Sequence, residues 1–203
     1  MTFNSNPKNL YRYSKRKWLE QSLYEGKFRL NSATYIKSME NDSDRQDDEM
    51  KVTQKIPREK ATACNLTSRT EIHLTSDITT TEEIATDYYM LCLSTKKEPY
   101  LFDIFKDSDA CLIIHDVNKF RERILIKTKQ SLPGWDCIDK NVQYGGFCKF
   151  DLGPLFLKPP IPYAFQFEWR FVWLHLDAML GRLCPMDFEI GNIEDIAELV
   201  DRF

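Results

Sequence analysis

Gln166, Glu168 and Arg170 sit two apart inside the aromatic stretch YAFQFEWRF at 163–171. Alternate residues of an extended chain share a face. The spacing therefore predicts one strand face carrying Gln, Glu and Arg, and another carrying Phe165, Phe167, Trp169 and Phe171. Such alternation is also the ordinary pattern of a half-buried strand, in which Glu168 is solvated and paired with Arg170. The sharper reading is a carboxylate and an amide set side by side for chemistry. Two further polar groups lie on or beside predicted strands: Arg12 in LYRYS, and Ser94-Thr95 at the end of YYMLCLST. An arginine can clamp a phosphate through two parallel N–H bonds, and Arg29 in KFRLNS competes with Arg12 for that part.

The remaining reactive residue types carry weaker signals. His73, His115 and His175 are far apart in the chain and read as structural. Cys64, Cys92, Cys111, Cys137, Cys148 and Cys184 form no CxxC or other metal-ligand spacing. Several lie in apolar runs such as YYMLCLS and ACLIIH, as free thiols do in a reducing cytosol. The carboxylates from Asp42 to Glu49 could hold a cation in a metal-dependent nucleic-acid-processing protein. They lack EF-hand spacing and its glycine turn, so a solvated loop is the simpler expectation. Gly145-Gly146 reads as a turn or bulge, since no GxxxxGK accompanies it. Lys15-Arg16-Lys17 reads as a solvated helix face, beside Arg12, that could also bring a phosphate or an RNA backbone close.

The elements that must position these groups follow from periodicity. LYRYS predicts a strand at 10–14, followed by a helix from Ser14, a good N-cap, to Glu25, with Gly26 as its C-terminal stop. KFRLNS predicts a second strand that enters a polar, acidic loop over about 37–60. With few apolar anchors, that loop is expected to be mobile until a partner orders it. Tyr88–Leu93 reads as a buried strand, Ala110–His115 as another, and Asp116 as the N-cap of the amphipathic VNKFRERIL helix. NVQYGGFCKF predicts a strand, and GNIEDIAELV a closing helix capped near Asn192.

At 203 residues with 42% hydrophobic and 13% aromatic content, the chain suits a single α+β domain, 1–203, with a dense core. A net charge of −3 gives no global field for capturing nucleic acid. No apolar run approaches the roughly 20 residues that cross a bilayer, so the expectation is a cytoplasmic protein with no membrane partner and no structural metal.

Arg12, then Ser94-Thr95, then Gln166-x-Glu168 resembles the arginine–serine–glutamate arrangement of ADP-ribosyltransferases. The resemblance implies a split, mostly antiparallel sheet flanked by helices, with NAD as substrate. It implies that Arg12, or Arg29, holds a phosphate of NAD, that Ser94 and Thr95 shape the nicotinamide pocket, and that Tyr11 and Tyr13 stack on rings. Glu168 would be the catalytic carboxylate and Gln166 would orient the acceptor. A toxin or phage-defence effector modifying a protein or nucleic acid, with a neutralising antitoxin bound to the acidic loop, is the implied setting. LYRYS…GKFRLNSATYIKSMENDSDRQDDE, LCLST and FEWRF are also similar to a group of uncharacterised prokaryotic proteins. The alternative from a different class is a non-catalytic interaction module that binds a partner protein through its aromatic surface.

Overall fold

The computed structural model describes residues 6–39, 48–105, 107–145, 153–175 and 181–202. In it the early strand–helix–strand unit forms as the periodicity dictates. β1 (Leu10–Ser14) leads into α1 (Arg16–Glu20), which continues as a π-helical turn through Gln21–Glu25. Leu19 and Leu23 face the core from this helix, while Trp18 and Tyr24 stay about half exposed. Ser14 closes β1 instead of capping the helix, and Lys15 at the cap position makes no side-chain bond. Gly26 stops the helix at a φ of 66°. A Cβ there would lie 2.0 Å from the Gly191 carbonyl oxygen, so conformation and close approach both demand glycine.

β2 (Lys27–Ser32) runs into α2 (Ala33–Met39), where a loop had been expected. Residues 40–47 of the acidic stretch lie outside the described residues. Beyond them the expected loop is a strand: β3 (Lys51–Ile56). It is followed by β4 (Ala63–Cys64), β5 (Glu71–Ile72) and β6 (Ile78–Glu83). β3 pairs with β6 from Lys51–Glu83 to Ile56–Ile78, and β4 pairs with β5 within the arm they make. The expectation of mobility over 41–60 therefore fails from Glu49 onward: Val52 is buried and Glu49 is 8% exposed.

β7 (Tyr89–Ser94) is followed by α3 (Leu101–Ile104), β8 (Ala110–Ile114) and α4 (Val117–Ser131). Asp116 caps α4 by accepting the Lys119 N–H. β9 (Trp135–Asn141) and β10 (Gln143–Tyr144) come next, and β10 lies parallel to β11 (Leu157–Lys158). Residues 146–152, which include the rest of the expected glycine-pair strand (146–150), lie outside the described residues. α5 (Pro160–Tyr163) and a 3-10 turn at Ala164–Gln166 precede β12 (Glu168–His175), and β13 (Met186–Glu189) and β14 (Ala197–Asp201) end the chain. The expected C-terminal helix is thus β14. Asn192 does cap, but it caps a turn, accepting the Glu194 N–H at 2.8 Å. Ala197–Asp201 then completes the open edge of β8, and that long-range pairing overrides helix propensity.

Eight strands make one sheet, paired antiparallel throughout. Along one edge β7 pairs with β12, and β12 with β9. Along its other edge β7 forks. Tyr89 and Met90 pair with β2, which carries β13, whereas Ser94 pairs with Tyr11 of β1, which carries β8 and β14. The expectation was an α+β domain with a split, mostly antiparallel sheet flanked by helices; the structure is a mixed α and β fold with a mostly antiparallel sheet and few helices. One face of the sheet holds the main core: Trp169, Phe171 and Trp173 pack with Leu91, Leu93, Phe28 and the α4 side chains Phe120 and Ile124. Each such side chain stabilises by about 1.5–3 kcal/mol on burial. The buried indoles keep their hydrogen bonds, Trp173 to the Thr128 hydroxyl and Trp169 to Asp139. No described helix is long and apolar enough to cross a membrane.

Candidate functional site

The fork brings the sequence-predicted residues onto neighbouring strands. Glu168 of β12 lies directly across from Ser94 of β7, and Ser94 across from Tyr11 of β1. Directly paired residues project to the same face. A cavity of about 310 Å³ opens there, walled by Tyr11, Tyr13, Cys92, Ser94, Gln166 and Glu168. Gln166 reaches it from the 3-10 turn, not from β12 as the alternation predicted. Phe167 takes a left-handed conformation, φ 48°, between turn and strand, so the expected strand face starts only at Glu168.

Ser94 and Thr95 hold that turn in place. The Ser94 hydroxyl donates to the Gln166 carbonyl at 2.9 Å and accepts the Lys96 N–H at 3.2 Å. The Thr95 hydroxyl donates to the Phe167 carbonyl at 3.0 Å, beside the Thr95 N–H at 2.8 Å. Tyr13 is set by similar contacts: its hydroxyl accepts the Glu98 N–H at 3.0 Å, and its ring lies 4.9 Å from Phe102 and 5.7 Å from Phe105.

Glu168 is not the solvated residue of the simpler reading; it is 5% exposed. Its Oε1 accepts from Arg170 Nε at 2.7 Å, and Lys158 Nζ lies 3.3 Å from its Oε2. Arg170 is also forked onto Glu49, at 2.7 and 3.2 Å, and Lys158 reaches Glu49 at 3.0 Å. A further Arg170 N–H goes to the Leu155 carbonyl at 2.9 Å. Two carboxylates and two cations thus form a closed, buried network. Tyr88 donates to the Glu49 carbonyl at 2.8 Å, and the Tyr144 hydroxyl accepts the Glu168 N–H at 2.9 Å.

Burial alone pushes the Glu168 carboxyl up, but the charges of Arg170 and Lys158, with the Arg170 hydrogen bond, outweigh it and hold the pKa down to about 2. Glu168 is therefore ionised at neutral pH and too weak a base to shuttle protons there. What it can do is accept a hydrogen bond and stabilise positive charge. Cys92 opens into the cavity, yet the protein packed around it, and then the Glu168 charge, push its thiol well above the ordinary value.

Arg12 borders this cavity but projects the other way. Tyr11 and Tyr13 flank it on the cavity face, while Leu10 and Arg12 alternate to the face of the main core. Its Nη1 donates to the Ser22 hydroxyl at 3.3 Å, and its guanidinium lies 5.2 Å from the Phe28 ring, bridging the fork between β1 and β2. Arg29 is exposed on β2, 5.8 Å from the Tyr35 ring. The structure therefore unites Gln166, Glu168, Ser94, Tyr11 and Tyr13; of the two candidate phosphate arginines, Arg12 projects to the main-core face, whereas Arg29, alternating with Phe28 and Leu30, shares the face of Asn31, Met90 and Glu168.

Glu49, Lys158 and Tyr144 were missed by sequence reasoning. Glu49 lies at the end of an acidic run and Lys158 before paired prolines, and neither setting signals burial. The acidic stretch offers no metal site in its described part: Asp48 pairs with Lys37 and Glu49 with Arg170 and Lys158, and Glu40–Asp47 lies outside the described residues. No family model, curated protein or solved structure matches the chain.

Proposed function

We propose that the chain is an NAD-dependent ADP-ribosyltransferase acting through the Glu168 cavity. The observation that carries this reading is the adjacency of the Arg12, Ser94 and Glu168 strands, in that order, with Glu168 ionised in a cavity walled by tyrosines. In the reaction the bond between ribose C1′ and nicotinamide breaks, its electron pair leaving with the nicotinamide nitrogen. The oxocarbenium-like ribose carries positive charge only near the transition state, where a fixed carboxylate lowers the barrier. An acceptor nucleophile then bonds to C1′ and releases a proton to water. Gln166, half-buried at the rim on a turn pinned by Ser94 and Thr95, orients the acceptor. The acceptor in this reading is a macromolecule, protein or nucleic acid, and a toxin or defence effector held by a neutralising partner is its natural setting.

The test is nicotinamide release from NAD by the purified protein, alone and with cell lysate. Label transferred from NAD and removed by protease or by nuclease identifies the acceptor. Gln166→Ala is expected to depress transfer more than release into water. Absence of release under both conditions would overturn the proposal. One observation favours a second reading, a non-catalytic binding module: both Glu168 oxygens already have cationic partners inside the network. In that case the protein binds its partner with no NAD turnover.

A further inference from the structure

Among the described residues, the main sheet has open edges at β13, β14 and β9. We infer that β9 is the interface with a second copy of this chain, the two β9 strands pairing antiparallel about a two-fold axis at Ile138 to join both sheets into one.

The argument starts from the hydrogen-bond phase of β9. The Val142 N–H donates to the Glu168 carbonyl at 2.9 Å. Every second pair of an antiparallel ladder is hydrogen-bonded. Lys140, Ile138 and Asp136, paired with Arg170, Val172 and Leu174, therefore turn their N–H and C=O groups towards β12. Cys137, Asp139 and Asn141 turn theirs to the open edge, where no described backbone group meets them. Such a row of groups is a template for a further strand. A second β9 laid antiparallel, Ile138 against Ile138, sets Cys137 opposite Asp139 and Trp135 opposite Asn141, so outward groups meet outward groups.

Charge selects this edge and this register. With the axis at Ile138, Asp136 of each copy lies directly opposite Lys140 of the other, and moving the axis by one residue breaks that match. Asp136 is exposed and has no ion-pair partner among the described residues. The Lys140 ammonium lies 4.4 Å from the centre of the Phe156 ring, which steadies its side chain on this face. Opposite charges placed directly across two strands stabilise by about 0.2–1 kcal/mol a pair. The other two edges offer a second copy only acids, Asp187 and Glu189 on β13 and Glu198 and Asp201 on β14. They are also shorter, four and five residues against seven in β9. Asp136, Ile138 and Lys140 project to the face of Val172 and Glu168, and the two-fold axis keeps that face common to both copies. The joined sheet thus opens both Glu168 cavities on one side.

This inference does not rest on the NAD reading. Sedimentation velocity of the purified full chain, from about 1 to 100 µM, is expected to show monomer passing into dimer, since one strand from each copy makes an interface at the small end of the specific ones. Asp136→Lys sets a lysine against Lys140, and Lys140→Glu sets a glutamate against Asp136. Each variant alone should weaken the dimer by at least about tenfold. Mixed in equal amounts, the two variants match again at both positions, and the mixture should dimerise with an affinity near that of the wild type. A variant that had merely lost its fold would give no such rescue, and circular dichroism of each checks the fold directly. Cys137→Pro removes an N–H at the open edge, leaves the bonds to β12 in place, and should abolish the dimer. Asp136 is exposed, so Asp136→Lys remains decisive even where another variant fails to fold. A monomer at every concentration, a dimer indifferent to Asp136→Lys, or a mixture of folded variants that stays monomeric would overturn the interface.

Discussion

Replacing Glu168 by glutamine removes one charge from the buried network while keeping an oxygen for Arg170 Nε. The carboxyl titrates near 4.5 when unconstrained and at about 2 in the folded chain. That difference contributes about 3 kcal/mol of stability at neutral pH, to order of magnitude. The sign follows from the depressed pKa: the contribution is full above the unfolded value and is lost as pH falls through 4.5 towards 2. For a chain of this size about 3 kcal/mol corresponds to a melting-temperature drop of roughly 6–12 °C. Urea unfolding of wild type and Glu168→Gln from pH 7 to pH 3 measures it. The gap between them should shrink to about half or less at pH 3, because the wild type is by then losing the same charge. Carboxylates outside this network titrate alike in both proteins and cancel in the difference. A gap that stays constant with pH, or a gap near zero at pH 7, would refute the pairing of Glu168 with Arg170 and Lys158.

Gly26→Ala should destabilise by more than about 2 kcal/mol in urea unfolding, since the φ of 66° and the 2.0 Å approach to Gly191 both oppose a side chain. Tyr88→Phe should lose about 1 kcal/mol, leaving the Glu49 carbonyl without its 2.8 Å donor inside the protein. Thr95→Val should cost about 1 kcal/mol in the same assay by removing the hydroxyl donated to Phe167. It should also lower any transfer activity, because the turn carrying Gln166 loosens.

The parts of this fold legible in the sequence are those governed by local pattern. β1, β2, β7 and β8 follow apolar runs bounded by turn residues, and Asp116 and Gly26 mark helix ends by chemistry that acts within a few residues. The losses are where distant pairing decides. Residues Ala197–Asp201 carry helix-forming side chains, and only the free edge of β8 makes them a strand. Lys51–Ile56 is polar enough to read as a loop, and it is held by its pairing with Ile78–Glu83. For the site, the order of Arg12, Ser94 and Glu168 anticipated neighbouring strands, but not their faces. Period-two reasoning needs a strand, and the left-handed Phe167 ends the strand before Gln166. Nor could spacing show that Arg170 shares its charge with Glu49, more than a hundred residues earlier.

The network that keeps Glu168 ionised also limits what its charge can do. A carboxylate buried alone would take up a proton and lose its value for stabilising a cation. Arg170 and Lys158 prevent this, yet each repels the same positive charge that Glu168 attracts. At an effective dielectric constant of about 20, a carboxylate at about 3 Å attracts a unit charge by roughly 5 kcal/mol, and a cation at twice that distance repels it by about half as much. Two cations then nearly offset one carboxylate, and the balance rests on Glu49, whose carboxylate pairs with both of them. Glu49 reaches the cavity from just before β3, at the base of the β3–β6 arm, so the base of that arm is electrostatically part of the cavity. A catalytic Glu168 needs Glu49 in place; a purely structural Glu168 needs it just as much for stability, and turnover of NAD is what tells the two apart.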